Sequence, residues 1–351
     1  MKKILKLSHK PIIGIEISYT HIKAMALDGS YHHVIGHASQ QVDPAKMRRS
    51  LQSGDDYLTS MMKEMIASQI TGKITSNHAV VSIPTALTYS RTISIPLQAE
   101  SKLRQAVTLE AEQYIPVAVK ELNVSYEILD RDDKNIEVLM SAAPKKVVNA
   151  VVSACQKAGV VVLAVEPSSN SVARLVTLTE EGELPTLVVD INAVTTDLAI
   201  IKNTLRANAS VQVGGTSFTK ELSKSMHVSL DAAHQLKILH GLSHGPKRKD
   251  IAKALEPSLS QIVGEVTKMI RFYNQKVAKT SKIQQLIIVG SGSNIQGIGD
   301  YFTDKMLLPS RVANPWQRLQ FTKVKAPPAQ FKNQYLTVAG AACASEKELD
   351  T

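Results

Sequence analysis

The chain alternates between short, almost wholly apolar runs and longer stretches in which apolar residues recur at helical spacing, the pattern of buried strands packed against helices. Ile12, Ile13, Gly14, Ile15, Glu16 and Ile17 read as a strand, Ser18 to Thr20 as a polar turn, and His21 to Leu27 as the return arm of a hairpin. Between Asp56 and Ile70 the positions Leu58, Met61, Met62, Met65, Ile66 and Ile70 predict an amphipathic helix. His78 to Ile83 predicts a buried strand stopped by Pro84.

From Thr88 to Val165 the predicted order is strand, helix, strand, strand, helix, strand. The first strand ends at Pro96, a charged turn from Asp130 to Asn135 separates the middle pair, and Gly159 closes the second helix. This is the β-α-β-β-α-β order of a split ferredoxin-like unit, and it predicts an inserted subdomain over 88–166. A helix from Ser168 to Leu178, within 167–183, returns the chain to the first unit. Leu187 to Ile191, the polar turn Asn192 to Thr195 and Thr196 to Ile201 then repeat the design of Ile12 to Leu27. Helices dominate from Thr216 to Lys279, Gln284 to Val289 is one more buried strand, and Tyr335 to Ala344 is a helix of small residues. One strand–turn–strand unit opening both halves predicts a duplicated α/β architecture of two lobes with a cleft between them. The first lobe begins with 1–87, and the second spans 184–351 with a helical subdomain at about 216–282.

Composition narrows the class. Hydrophobic residues at 44% and charged residues at 21% over 351 positions are ordinary for a soluble globular chain. No apolar run approaches the roughly 20 residues that span a bilayer, and Met1 to Lys10 lacks the apolar core of a signal peptide, so the expected compartment is the cytoplasm. Cys155 and Cys343 stand in apolar surroundings without metal-ligand spacing. The net charge of +10 is concentrated in Lys2, Lys3, Lys6 and Lys10 and in the segment from Lys247 to Lys282. Such patches serve as solvated faces or attract phosphates, acidic partners and anionic lipid. The lysines at the start carry the expectation of peripheral contact with the inner membrane. An aromatic content of 4% argues against a single-stranded nucleic-acid binder, which needs stacking platforms.

Three polar turns follow buried strands: Glu16 to Thr20, Asp190 to Thr196, and Gly290 to Asn294. Small residues with free backbone N–H groups form donor arrays for phosphate oxygens. A carboxylate at a strand end can hold magnesium, often through water. Any hairpin tip can carry such residues, so the weight lies in their order.

In order, they resemble the actin-like ATPase superfamily. IGIEISYTHIKAMAL is similar to its first phosphate loop, LVVDINAVTTDLAII to its second, and VGGTSFTKEL to the diglycine that passes the nucleotide. AAHQLKILHG resembles the helix whose lysine reaches the purine or ribose, and LIIVGSGSNIQGIGDYF the adenosine loop. Within the superfamily, the insert, the stretch EAEQYIPVAVKELNVSYEIL and the helix EVTKMIRFYNQK resemble the PilM and FtsA branch, most closely the PilM type IV pilus assembly proteins.

The resemblance implies ATP held by Glu16, Ser18, Tyr19, Thr20, Lys23, Asp190, Asn192, Ala193, Thr195, Thr196, Gly214, Gly215, Lys237, Gly290, Ser291, Gly292 and Asn294. It implies Mg2+ on Glu16 and Asp190 through water. It also implies a cytoplasmic platform, peripheral to the inner membrane, that grips the N-terminal cytoplasmic peptide of a PilN-like inner-membrane protein, with contact near Tyr114, Ile115 and Pro116. Other pilus assembly proteins are further implied partners, nucleic acid is not, and self-association stays open.

Glu16 stands where the superfamily has Asp, Ser18 and Asn192 where it has glycines, and Ser291 where it has a second glycine. The expectation is therefore at most a slow ATPase. Two alternatives remain on the same fold. A small-molecule kinase would use Asp190 or Asp197 as base and need an acceptor pocket. An FtsA-like filament protein would generally end in an amphipathic helix, whereas ASEKELDT is short and acidic.

Overall fold

The computed structural model describes residues 12–30, 33–180, 184–243, 245–277 and 282–345. The lysines at 2, 3, 6 and 10, with the membrane contact expected of them, lie outside the described residues. No helix among the described residues is long and apolar enough to cross a membrane.

The first lobe is built on β1 (Ile13–Ile17), β2 (His21–Leu27), β3 (Val34–Gln41), β4 (Thr71–Gly72) and β5 (His78–Ile83), with α1 (Pro44–Ser53) and α2 (Asp56–Ser68) between β3 and β4. Asp43 and Asp55 cap these helices, each accepting a bond from a backbone N–H of the first turn, which satisfies donors the helix leaves open. An insert follows: β6 (Tyr89–Pro96), α3 (Leu103–Tyr114), β7 (Leu122–Arg131) and β8 (Asn135–Pro144). Then come α4 (Lys145–Lys157), β9 (Val161–Pro167) and α5 (Ser168–Thr179).

The second lobe contains β10 (Thr186–Ile191), β11 (Thr196–Lys202), β12 (Thr204–Val211), α6 (Gly215–Met226), α7 (Leu230–Leu239), α8 (Arg248–Phe272), β13 (Gln285–Val289), α9 (Ile298–Met306) and β14 (Ser310–Val312). The chain closes with α10 (Ala329–Lys332) and α11 (Leu336–Ala342).

The two principal sheets share a plan. One runs β4-β3-β2-β1-β5-β9 and the other β12-β11-β10-β13-β14. In each, a central strand pairs antiparallel with the next one in sequence and parallel with a later one: β1 with β2 and β5, β10 with β11 and β13. The expected two-lobed α/β fold is present. α11 lies at the seam, every residue buried, in a cluster that takes Met25 and Val172 from one side and Val188 and Ile287 from the other.

The insert differs from the expected β-α-β-β-α-β subdomain. Its sheet has three strands in the order β6-β8-β7, over a core of Ile93, Val107, Ala111 and Val138. α4 packs instead on α1 and α2 through Val147, Val151 and Ala154, and β9 pairs parallel with β5 from His78↔Val161 to Ile83↔Pro167. The expected chain order is present, but its last two elements complete the first lobe. Local pattern places elements in order; only long-range pairing decides which sheet receives a strand.

Candidate functional site

The turn between β1 and β2 faces the turn between β10 and β11 across a narrow cleft of about 80 Å3. Glu16, Ser18, Tyr19, Thr20 and Lys23 line one wall, Asn192, Ala193, Thr195 and Asp197 the other, and Ser291 closes an end. His21, Ser168, Gln334 and Thr337 also face it, and the sequence reading missed them in this role. His21 sits beside an expected site residue, Thr20. Ser168, Gln334 and Thr337 arrive from distant segments and left no local signal.

Glu16 and Lys23 are opposite each other in the β1–β2 ladder and form a buried ion pair of 3.2 Å. Lys23 is thus committed to Glu16 within the cleft wall. Removing one member of such a pair strands a charge away from water. Lys23→Met is expected to lower stability by about 3–5 kcal/mol, and the double change Glu16→Gln with Lys23→Met to recover much of the loss; urea unfolding of the three variants measures both.

Asp190 and Asp197 stand opposite each other on β10 and β11, and both are buried. Burial, reinforced by the Asp197 charge, pushes the Asp190 carboxyl up to about 7, although the Asn192 side chain pulls the other way. Its Oδ2 has no hydrogen-bond partner among the described residues. Burial also lifts Asp197 to about 6, against hydrogen bonds headed by those from Ser210 and Ser168. Those two hydroxyls donate at 2.6 and 3.1 Å. An orphaned carboxylate oxygen beside two polar turns suits a magnesium ion held through water. Asp190 is buried behind the second turn and does not line the cleft, whereas Glu16 lines it but is paired with Lys23. His21 is pulled down to about 4 by burial and by Lys23, so it is neutral near pH 7.

Several expected residues stand behind the wall. The Thr196 hydroxyl donates to the Val213 carbonyl at 2.8 Å, and the Asn294 amide to the Gln330 carbonyl at 2.8 Å. Gly214 and Gly215 open α6 immediately behind the second turn, the Gly215 N–H donating to the Asn192 carbonyl at 2.8 Å. The Lys237 ammonium donates to the Gly215 carbonyl and the Thr219 hydroxyl, each at 2.8 Å, and burial lowers it to about 8. In this arrangement it faces α6 rather than the cleft. Gly292 is packed on Ile191. Gly290, at φ 80°, brings the third turn onto Asp190, where a Cβ would fall 2.3 Å from Oδ1. Ser18 and Asn192 have no positive φ, so neither position demands glycine for its backbone. The Ser18 hydroxyl closes the first turn by donating to the His21 carbonyl at 2.9 Å.

A second concavity of about 340 Å3 runs between the insert, the loop after β5 and β12. Tyr114 and Ile115 line it; Pro116 does not. Thr85 and Ser210 also line it, and both belong to the hydrogen-bonded network around Asp197.

A profile of the type IV pilus assembly protein PilM family matches residues 14–345. Among solved structures, a chain of a PilM–PilN type IV pilus biogenesis complex superposes with a TM-score of 0.79 at 21% identity, covering 95% of this chain and 98% of that one. MreB5 of Spiroplasma citri bound to AMPPNP superposes with a TM-score of 0.55 at 12% identity, covering 98% of each chain. At these identities the likeness concerns the fold. The cell division protein FtsA of Neisseria meningitidis serogroup B is 40% identical over 65 residues, a stretch spanning 18% of this chain and 16% of that protein.

Proposed function

The chain belongs to the type IV pilus assembly protein PilM family, and on that premise we propose that it is an ATP-binding platform that captures the N-terminal cytoplasmic segment of a PilN-like inner-membrane protein. The observation that carries the proposal is a pair of separate concavities, one between facing polar turns and one beside Tyr114 and Ile115. The relative whose complex names PilN shares this fold along nearly its whole length.

In the cleft, the backbone N–H groups of residues 19–20 and 193–195 would receive phosphates, those of Ser18 and Asn192 being taken by the His21 and Thr195 carbonyls. Asp190 would hold magnesium through water, which would neutralise charge on the phosphates. A cleft of about 80 Å3 is well below the roughly 300–1,000 Å3 of small-molecule sites. The lobes therefore part to admit a nucleotide. A thermal-shift titration tests the site: Mg-ATP at 100 times its dissociation constant adds about 2.7 kcal/mol, and no shift at millimolar nucleotide would remove ATP from the proposal. Turnover is expected well below the roughly 1 per second at the low end of ordinary enzymes, because Ser18 and Asn192 stand where the superfamily has glycines that let backbone approach the phosphates. Steady-state phosphate release at ordinary enzyme rates would favour the kinase or ATPase alternative.

For the groove, fluorescence anisotropy with a labelled peptide from the PilN-like protein of the same organism is the measurement. Saturable binding that survives Asp190→Asn and weakens with Tyr114→Ala is expected. Binding indifferent to Tyr114 would place the partner elsewhere.

A further inference from the structure

The groove beside Tyr114 does not end at the insert. It continues into a second chamber of about 290 Å3 reaching Met269 and Phe272 on α8, and the two chambers share Ser90, Arg91, Asn208 and Ala209. The joined trough is bordered by two sheet edges. β6 is one outer strand of the insert and β12 one outer strand of the second lobe, and they touch where the Thr92 hydroxyl donates to the Arg206 carbonyl. Facing edges of this kind suit an extended chain, whose backbone can pair while its side chains enter pockets.

Arg91 stands where the chambers meet. Its guanidinium lies 4.1 Å from the centre of the Tyr114 ring and 5.8 Å from that of Phe272. Stacking fixes the plane of the guanidinium while leaving its N–H groups free to donate. Nearby cations are already paired, Lys268 with Glu265 at 3.0 Å and Arg206 with Glu137 at 3.6 Å. Among the described residues Arg91 has neither a carboxylate nor a hydrogen-bond acceptor. An oriented, uncompensated guanidinium is complementary to a carboxylate, which it can hold with two parallel hydrogen bonds. Resting on the peptide-capture reading above, we infer that Arg91 is the specificity residue of the trough and seats an Asp or Glu side chain of the bound extended peptide.

The test selects from a phage-displayed library of random ten-residue peptides on the wild-type protein. The expected winners carry an acidic residue at a recurrent position. Their binding by anisotropy should fall roughly tenfold to hundredfold with Arg91→Met, the range for a hydrogen bond to a charged group. Changing that Glu to Gln or Asp to Asn in the peptide should cost a similar factor, and Arg91→Lys an intermediate one. Should Arg91→Met fail to fold, the peptide change and Arg91→Lys still decide. Winners without acidic preference, no enrichment, or an Arg91→Met effect within twofold would overturn the inference. The PilN-like segment is measured separately: if it fails while acidic library peptides bind, the partner is wrong and Arg91 keeps its role.

Discussion

Asp190→Asn is expected to abolish the magnesium-dependent part of nucleotide stabilisation and, at the same time, to make the ligand-free protein more stable at pH 8. Asp190 is held near 7 mainly by burial, well above its ordinary value of 3.8. Between those values the folded chain binds a proton that the unfolded chain has released. This part of the stability is fully present below pH 3.8 and is lost as pH rises through 7. Wild-type stability alone would blur the effect, because His21 works in the opposite sense. Its folded value of about 4 lies below 6.5, so acidification through that range favours the unfolded chain. The difference between wild type and Asp190→Asn cancels His21 and reports Asp190 together with its coupling to Asp197, whose charge helps hold it up. That difference should grow in favour of the variant by about 2–3 kcal/mol between pH 5 and pH 8, read from urea midpoints at fixed salt. A variant less stable than wild type at pH 8, with an unchanged difference at pH 5, would mean that the orphaned oxygen is not a stored cost. The trade is the one expected of a binding site: a buried carboxylate oxygen left without a partner in the protein alone would be satisfied by the ligand.

What could be read in the sequence divides along physical lines. Both hairpins were legible because five or six consecutive buried residues followed by small polar ones leave few alternatives. The Glu16–Lys23 pair was readable in principle. Once Ile17 faces Ile22 in a hairpin, the preceding residue faces Lys23. β12 carries little strand signal, because Thr204, Arg206, Asn208 and Ser210 alternate with Leu205, Ala207, Ala209 and Val211, the pattern of a half-covered edge, which also describes many loops. The trough is illegible in the sequence for the same reason, since β12 forms one of its borders. The placement of α4 and β9 in the first lobe rests on contacts with α1, α2 and β5, which no local window contains. The expected role of Lys237 followed a motif, whereas its contacts to Gly215 and Thr219 depend on how α6 and α7 dock.

Gly340→Ala is expected to cost about 3 kcal/mol or more, although alanine is the better helix former by about 1 kcal/mol. A Cβ at position 340 would fall 1.9 Å from the Ser171 carbonyl oxygen, with the Leu175 Cβ also at 3.3 Å. The obstacle is backbone, so no side-chain rotation relieves it, and α11 must move off α5. That movement would also stretch the bond from the Arg174 guanidinium to the Gly340 carbonyl, now 3.0 Å. α11 packs on β1, β2, β5 and α5 of the first lobe and shares a buried cluster with Val188 and Ile287 of the second, so displacing it loosens that cluster and shifts Thr337 on the cleft wall. The loss should therefore appear in chemical unfolding and, at permissive temperature, as a smaller Mg-ATP shift. Gly264→Ala supplies the comparison. It lies within α8 on the exposed surface, where an added methyl would meet nothing within 4 Å. There only helix propensity operates, and a gain of up to about 1 kcal/mol is expected. If both substitutions stabilised the protein equally, the close approach of α11 to α5 would not be what stability depends on at position 340. Opposite signs would tie the packing of α11 on α5 to the absence of one methyl group at position 340.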